Sequence, residues 1–196
     1  MNSSGERILN LHDELIEKCK QGKTAAQLEI YKLYYKAMFN SAIRIVNNRF
    51  DAEDIMQEAF LKAFQKIDSY RAEVSFGAWL KKIVINQSLD FLRKRKIEFI
   101  AIDDSIEFEL ADTTDDKMEF DDNQTFNLVL NQIQLLPEKY KIVISLYLLE
   151  GYDHDEISEI LNITSSTSRS QLLRAKRKLL ENINLEKKNE KYRTAY

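Results

Sequence analysis

The segment EISEILNITSSTSRSQLLRAKRKL (156–179) decides the fold of the second half of this chain. It reads as a short amphipathic helix, the turn residues Asn162 and Ile163, and a longer helix with a polar start and a basic end. Asp153 and Glu156 are spaced as a capping box before the first helix. Asn162 tolerates the left-handed backbone that a sharp turn needs. The segment therefore predicts a helix-turn-helix unit.

The second helix of such a unit enters the major groove of DNA, where base pairs differ in their donors and acceptors. Its hydroxyls and N-terminal amides suit phosphates, while Arg169 and Gln171 suit the edges of guanine and adenine. The basic residues add an affinity that falls with salt. A solvated helix hairpin is the plainer alternative for an isolated stretch of this kind. The candidate DNA contacts are Ser165, Ser166, Thr167, Arg169, Ser170, Gln171, Arg174, Lys176 and Arg177.

Composition favours helices for the rest of the chain. Only four glycines and one proline occur among 196 residues, and 44% of the residues are hydrophobic. A sheet protein would need more turn residues, so the predicted fold class is all-α. The aromatic residues Tyr31, Tyr34, Tyr35 and Phe39 lie at helical spacing and are assigned to the core.

Apolar periodicity predicts where the other helices lie. A long helix carries Leu28, Tyr31, Tyr35, Met38, Phe39, Ala42 and Ile45 on one face. Asp51 is expected to cap the next helix, with Asp54 at its third position. A loop over 68–77 precedes a third helix that begins near Ala78. Further on, helices are expected from 126 to 135 and from 137 to 149, with Pro137 opening the second and Gly151 ending it.

Charge is segregated along the chain although the formal net charge is only −3. The stretches 81–96 and 169–193 are mostly basic, and many carboxylates lie between them, from Glu98 to Asp122. The acidic stretch has no sustained apolar period, which favours an extended connector. The predicted organisation is a first helical domain over 1–96, an acidic linker over 97–124 and a second helical domain over 125–196.

Several classes of protein are disfavoured. A single cysteine, Cys19, leaves no intramolecular disulfide and no cysteine zinc site. No metal and no cofactor are expected. His12 and His154 are far apart, and no glycine-rich phosphate loop is present, which disfavours an enzyme with a small-molecule substrate. No signal peptide and no apolar run long enough to enter a membrane are found. A cytoplasmic location is expected.

Three stretches together resemble the extracytoplasmic-function group of the sigma-70 family of RNA polymerase sigma factors. They are DAEDIMQEAFLKAF (51–64), IDSYRAEVSFGAWLKKIVINQSLDFLRKRK (67–96) and LPEKYKIVISLYLLEGYDHDEISEILNITSSTSRSQLLRAKRKL (136–179). The resemblance covers both expected domains in order. It implies sigma domain 2 before the linker and sigma domain 4 after it. It also implies bacterial core RNA polymerase, promoter DNA and an anti-sigma factor as partners.

The resemblance implies roles for individual residues. Those expected to dock on the polymerase are Glu53, Asp54, Gln57 and Glu58. Those expected to capture and melt the minus-ten element are Tyr70, Arg71, Phe76, Trp79, Lys82, Asn86, Arg93 and Arg95. Trp79 is equally compatible with a core anchor that shapes the loop. The helix-turn-helix residues named above are then expected to read the minus-thirty-five element.

The chain departs from the usual pattern of these sigma factors at four positions of its helix-turn-helix. Asn162 stands where glycine is usual, Ser158 where alanine is, Ser168 where valine is and Gln171 where a basic residue is. The hydroxyl of Ser168 is expected to bond to a backbone carbonyl. These departures bear on how firmly the second domain grips DNA. A stand-alone helix-turn-helix regulator remains the alternative function.

Overall fold

The computed structural model describes residues 3–102 and 124–193, with side chains described over 12–95 and 126–186. The chain divides into two compact units, Met1–Glu109 and Leu110–Tyr196. Within the described ranges every regular element is helical and none is a strand. The all-α prediction is confirmed. None of the described helices is long and apolar enough to cross a membrane.

The first unit is built around one central helix. Its helices are α1 (Ser3–Lys20), α2 (Thr24–Val46), α3 (Arg49–Gln65) and α4 (Phe76–Ile102), with a 3-10 turn (Ile67–Ser69) between α3 and α4. The other three α-helices all pack on α2, and α3 also packs on α4. The side chains that fill this core include Ile30, Met38, Ile45, Phe60, Leu80 and Ile85.

The inner face of α2 differs from the predicted one. Ile30, Met38 and Ala42 are buried, whereas Leu28 is 52% exposed and Tyr35 is 37% exposed. Assigning Tyr35 to the core was therefore wrong, although its ring stacks on that of Tyr31 with centroids 5.7 Å apart. Apolar residues occupy more than one stripe of α2, and periodicity alone does not say which stripe meets α3 and α4.

The start of α3 also differs from the prediction. Asn48, not Asp51, is the N-cap, and its side chain accepts a hydrogen bond of 3.1 Å from the amide of Asp51. Asn47 ends α2 with a left-handed φ of 55°, so only two residues separate the helices. This short connection places the cap three residues earlier than expected and makes Asp51 the third residue of the helix.

Helix α4 is longer at both ends than predicted. It begins at Phe76 rather than Ala78, and it continues to Ile102, six residues into the range assigned to the linker. No glycine or proline occurs between Lys96 and Pro137, so nothing in the backbone stops the helix at Lys96. The rest of the assigned linker up to residue 123 lies outside the described residues.

The second unit carries the predicted helix-turn-helix. Its helices are α5 (Gln124–Gln134), α6 (Glu138–Ile144), α7 (His154–Leu161) and α8 (Ser165–Arg193), with a π-helical turn (Ser145–Leu149) after α6. Helices α5, α6 and α7 all pack on α8. Pro137 is the N-cap of α6 and not its first residue as expected, because the helix begins at Glu138.

The turns of the second unit match the expectation from sequence. Gly151 has a φ of 82° and Asn162 a φ of 54°, both in the left-handed region. Asp153 and Glu156 form a complete capping box at the start of α7. These local signals define where α7 begins and ends, and so where the turn into α8 lies.

Candidate nucleic-acid interface

Three aromatic side chains form a cluster where the loop after α3 meets α4. The ring centroids of Tyr70, Phe76 and Trp79 are 5.4–5.5 Å from one another. The hydroxyl of Tyr70 donates a hydrogen bond of 2.8 Å to the carbonyl of Val74 and so closes the loop. Phe76 is buried, while Tyr70 and Trp79 are partly exposed. The cluster brings together three of the residues predicted for the minus-ten element.

The same loop contains a strained residue. Ala72 has a φ of 58°, a left-handed conformation that residues with a Cβ seldom adopt. Its neighbour Arg71 is exposed, and Val74 is 55% exposed. Strain of this kind persists only where the surroundings hold the backbone, which the Tyr70 hydrogen bond and the aromatic cluster do here.

Sequence reasoning assigned Tyr34 to the core and did not connect it with this site. Its ring lies 5.5 Å from that of Phe76, and its hydroxyl shares a hydrogen bond of 3.1 Å with Nδ1 of His12 on α1. Burial raises the pKa of the Tyr34 phenol and, together with the charge of Asp13, that of Tyr70. Both hydroxyls therefore stay protonated and able to donate near neutral pH.

Lys82, Asn86 and Arg93 extend the site along α4. They are exposed and follow Trp79 at steps of three, four and seven residues, which places all four on one face of the helix. Arg93 forms an exposed ion pair with Asp90, with 3.0 Å between Nη1 and Oδ1. An exposed pair of this kind contributes little to stability.

Arg95 lies apart from the other predicted minus-ten residues. It follows Asn86 by nine residues, which is half a turn around α4 beyond two full turns. Its Nη1 atom is 3.8 Å from Oδ2 of Asp51, so the guanidinium is directed toward α3. The structure therefore groups Arg95 with the start of α3.

Helix α3 presents the predicted polymerase-docking residues on its outer face. Asp54, Gln57 and Glu58 are exposed, and Glu53 is partly buried beside Arg49, with 3.2 Å between Oε1 and Nε. Two apolar residues that sequence reasoning missed lie at the ends of this face. Phe50 is 75% exposed and Leu61 is 63% exposed. The spacing of Phe50, Asp54, Gln57 and Leu61, at four, three and four residues, could have revealed them.

The start of α8 presents most of the predicted contacts of the recognition helix. Thr164 caps the helix, since its hydroxyl oxygen accepts a bond of 3.1 Å from the amide of Thr167. The exposed candidates are Ser166, Arg169, Ser170, Arg174, Lys176 and Arg177, while Thr167 and Gln171 are partly buried. Ser165 differs, because its hydroxyl oxygen is shielded from solvent. Its contribution to a phosphate contact would come from the backbone amide.

The expected partner of Ser168 was wrong. Ser168 is fully buried, and its hydroxyl shares a hydrogen bond of 2.8 Å with Nδ1 of His154, the first residue of α7. The imidazole reaches the hydroxyl across the turn, so no backbone carbonyl is needed. No local pattern predicts this pair, because the two residues are 14 positions apart in the chain.

Among the described residues, no group of three or more histidine, cysteine or acidic side chains is arranged to hold a metal ion. The candidate surface on α4 is made of amide, cationic and aromatic groups, and the separate candidate surface on α8 of hydroxyl, amide and cationic groups. Such groups bind phosphates and bases.

Comparison with known proteins identifies relatives for both units. The model of sigma-70 region 2 matches residues 30–97, and that of sigma-70 region 4 matches residues 126–179. The ECF RNA polymerase sigma-E factor of Haemophilus influenzae is 31% identical over 176 residues, which cover 86% of this chain and 92% of that protein. The ECF RNA polymerase sigma factor SigW of Bacillus subtilis is 30% identical over 84% of this chain and 92% of its own length.

Two solved structures share the fold. One is the sigma factor RpoE of Bartonella quintana in complex with the anti-sigma factor NepR, with a TM-score of 0.56 and 24% identity over 78% of this chain and 93% of that one. The other is CnrH in complex with the cytosolic domain of CnrY, with a TM-score of 0.53 and 18% identity over 87% of this chain and 96% of that one.

Proposed function

This chain belongs to the extracytoplasmic-function RNA polymerase sigma factors of the sigma-70 family, and from that premise we propose that its two units divide promoter recognition between them. The first unit docks on bacterial core RNA polymerase and captures the minus-ten element. The second reads the minus-thirty-five element. The observation that carries this proposal is that each unit presents its own exposed set of polar and basic side chains on one helix.

The outer face of α3 is the docking surface for the polymerase. Asp54 and Glu58 lie one turn apart with Gln57 between them, and Phe50 and Leu61 flank them as exposed apolar residues. Interfaces combine apolar anchors with charges that set orientation. The face is acidic and exposes two large apolar side chains. A partner surface that combines basic and apolar residues would cover both features.

The aromatic cluster and the basic face of α4 take the minus-ten element. An unstacked base needs an aromatic surface and a hydrogen-bonding group, which Tyr70, Trp79 and Asn86 supply. Lys82 and Arg93 lie on the same helix face and would hold the phosphates on either side of that base. Arg95, directed toward Asp51, would act outside this group.

The N-terminal half of α8 reads duplex DNA. Arg169 and Gln171 are placed for base edges, and Ser166, Ser170 and Arg174 for phosphates. The second half adds Lys176 and Arg177, which contribute affinity without sequence preference.

Regulation and location follow from the same premise. The relatives RpoE and CnrH were solved in complex with NepR, an anti-sigma factor, and with the cytosolic domain of CnrY. An anti-sigma factor is accordingly proposed as a partner of this chain, with a cytoplasmic location and a regulatory role that involves no catalysis of its own. A natural target for an anti-sigma factor is the exposed α3 face, because covering it would prevent docking.

Reversing the charge of the α3 face tests the docking surface. In the double variant Asp54→Lys/Glu58→Lys we expect the dissociation constant for core polymerase to rise at least about tenfold, because two carboxylates that meet a basic surface become repulsive. Fluorescence anisotropy of the labelled chain titrated with core enzyme measures it.

The variant Glu29→Lys is a control for charge reversal elsewhere in the first unit, since Glu29 is an exposed carboxylate on α2. It should bind core polymerase as the unmodified chain does. Equal binding by the α3 double variant and the unmodified chain would show that α3 is not the docking surface.

A further inference from the structure

Ser168 is the one polar residue classed as buried among the described side chains of α8. Ser168, Leu172, Ala175 and Leu179 follow one another at steps of four, three and four residues, and all four are buried against the rest of the second unit. Three of them are apolar and make contacts that tolerate small rotations and shifts. Ser168 differs because a buried hydroxyl needs a hydrogen-bond partner in a defined direction.

The partner of Ser168 is held firmly. His154 follows the N-cap Asp153, whose carboxylate accepts bonds of 2.8 Å from the amides of Asp155 and Glu156. The side chain of Glu156 in turn accepts a bond of 2.9 Å from the amide of Asp153. This capping box fixes the backbone from which the imidazole reaches Ser168.

The imidazole is also connected to α8 by a second route, through Tyr147. The ring of Tyr147, in the π-helical turn, stacks on His154 with centroids 4.9 Å apart and planes 26° from parallel. The ammonium of Lys176 lies 5.5 Å from the centre of the Tyr147 ring. The series Ser168, His154, Tyr147 and Lys176 thus starts and ends on α8, at points about 12 Å apart along its axis.

We propose that His154 is a positioning residue for recognition of the minus-thirty-five element. It acts through Ser168, with Tyr147 behind it, and fixes the rotation of α8 about its axis. Arg169 is the next residue after Ser168 and Gln171 lies three residues on, so this rotation decides which base edges they meet. The inference rests on the proposed function of the second unit and adds to it a residue that itself need not touch DNA.

The test separates positioning from simple packing. His154→Phe keeps a ring against Tyr147 but removes the hydrogen bond to Ser168. Ser168→Ala removes the same hydrogen bond from the side of the hydroxyl. Combining them replaces a polar pair by an apolar one of similar shape, which restores stability. His154→Asn does the reverse, since its amide lies near the position of Nδ1 and keeps the hydrogen bond without the ring. Ile157→Val, at a fully buried site on α7, is a control that loosens packing without touching the pair.

The readout is base discrimination in transcription with core polymerase. Promoters are first selected with the unmodified chain from templates randomised over both elements. Each variant is then compared on the best template, on single-base changes of its minus-thirty-five element and on a template without that element. Thermal unfolding is followed in parallel.

Each single variant that breaks the pair should lose on the order of tenfold of the transcription that depends on the minus-thirty-five element. The double variant His154→Phe/Ser168→Ala should unfold at the same temperature as the unmodified chain and transcribe equally from the template without that element. Its discrimination between bases of the minus-thirty-five element should nevertheless be at least about threefold lower than that of the unmodified chain. His154→Asn should keep more discrimination than His154→Phe, because it retains the hydrogen bond. Ile157→Val should keep full discrimination, even though it unfolds at a lower temperature.

Full discrimination by the double variant would overturn the proposal, because packing alone would then explain the pair. Equal loss in His154→Asn and His154→Phe would overturn it as well, since the hydrogen bond would not matter. A failure of the proposed function looks different. In that case the unmodified chain itself would show no preference for any minus-thirty-five sequence.

Discussion

At the scale of single residues, short local hydrogen bonds set where helices begin in this chain. Asn48 opens α3, the capping box of Asp153 and Glu156 opens α7, and Thr164 opens α8. Each satisfies backbone amides that the first turn of a helix leaves without partners.

The phenol of Tyr152 makes the stability of the second unit vary with pH in the alkaline range. Burial, with the nearby charges of Glu150 and Glu156, raises the pKa of Tyr152 to about 12. The unfolded chain releases this proton near pH 10, whereas the folded chain keeps it. Stability contributed by the neutral phenol is therefore present below about pH 10 and is lost as pH rises toward 12.

The variant Tyr152→Phe should show a shallower fall in urea-unfolding free energy between pH 10 and pH 12 than the unmodified chain. The difference between the two curves isolates this phenol from the other tyrosines. Parallel curves over that range would mean that Tyr152 titrates alike in the folded and unfolded chains.

Residue-level features were predicted from sequence where the signal is local. The capping box and the left-handed Asn162 and Gly151 depend on neighbours a few positions away, and they were confirmed. Asn48 was missed because its role depends on where α2 ends. The partner of Ser168 was missed because it depends on how α7 and α8 pack.

At the scale of elements, the contact between α2 and the start of α4 holds the aromatic cluster proposed for the minus-ten element. Gly77 lies in the first turn of α4 against the ring of Tyr34, and a Cβ atom there would come within 2.9 Å of Cε1 of that ring. The ring is held at its far end by His12. A side chain at position 77 would therefore push α4 away from α2 or displace the aromatic cluster.

Gly77→Ala should lower the free energy of unfolding by about 1–2 kcal/mol, because the overlap with Tyr34 outweighs the better helix propensity of alanine. Chemical denaturation measures the change. In a Tyr34→Ala background the same substitution should be neutral or stabilising, since the clash is gone. A gain in stability from Gly77→Ala alone would contradict the packing described here.

Sequence predicted most of the described helices but placed several of their faces and ends differently. The apolar period identified α2 and α3, and the lack of glycine and proline agreed with the length of α4. The apolar period did not reveal which stripe of α2 is buried, because a central helix with apolar residues on several sides has no single apolar face. Helix α1, which buries Leu15, Ile16 and Cys19, was not predicted.

At the scale of the whole molecule, the distribution of charge is more informative than the net charge. Acidic residues with apolar flanks lie on α3, and basic residues lie on α4 and α8. A net charge of −3 is therefore compatible with binding DNA through two separate surfaces. We expect each surface alone to bind DNA weakly. Specific binding would require that both surfaces contact one promoter while the chain is bound to the polymerase.

Transcription by core RNA polymerase, with and without this chain, tests the central claim most directly. Templates randomised over both promoter elements are transcribed, and binding of the free chain to the selected duplexes is measured alongside. Transcripts should appear only when the chain is present and should start downstream of one shared pair of elements, while the free chain binds those duplexes weakly. No transcript that depends on the chain, together with tight duplex binding in the absence of polymerase, would contradict the account and favour a stand-alone regulator.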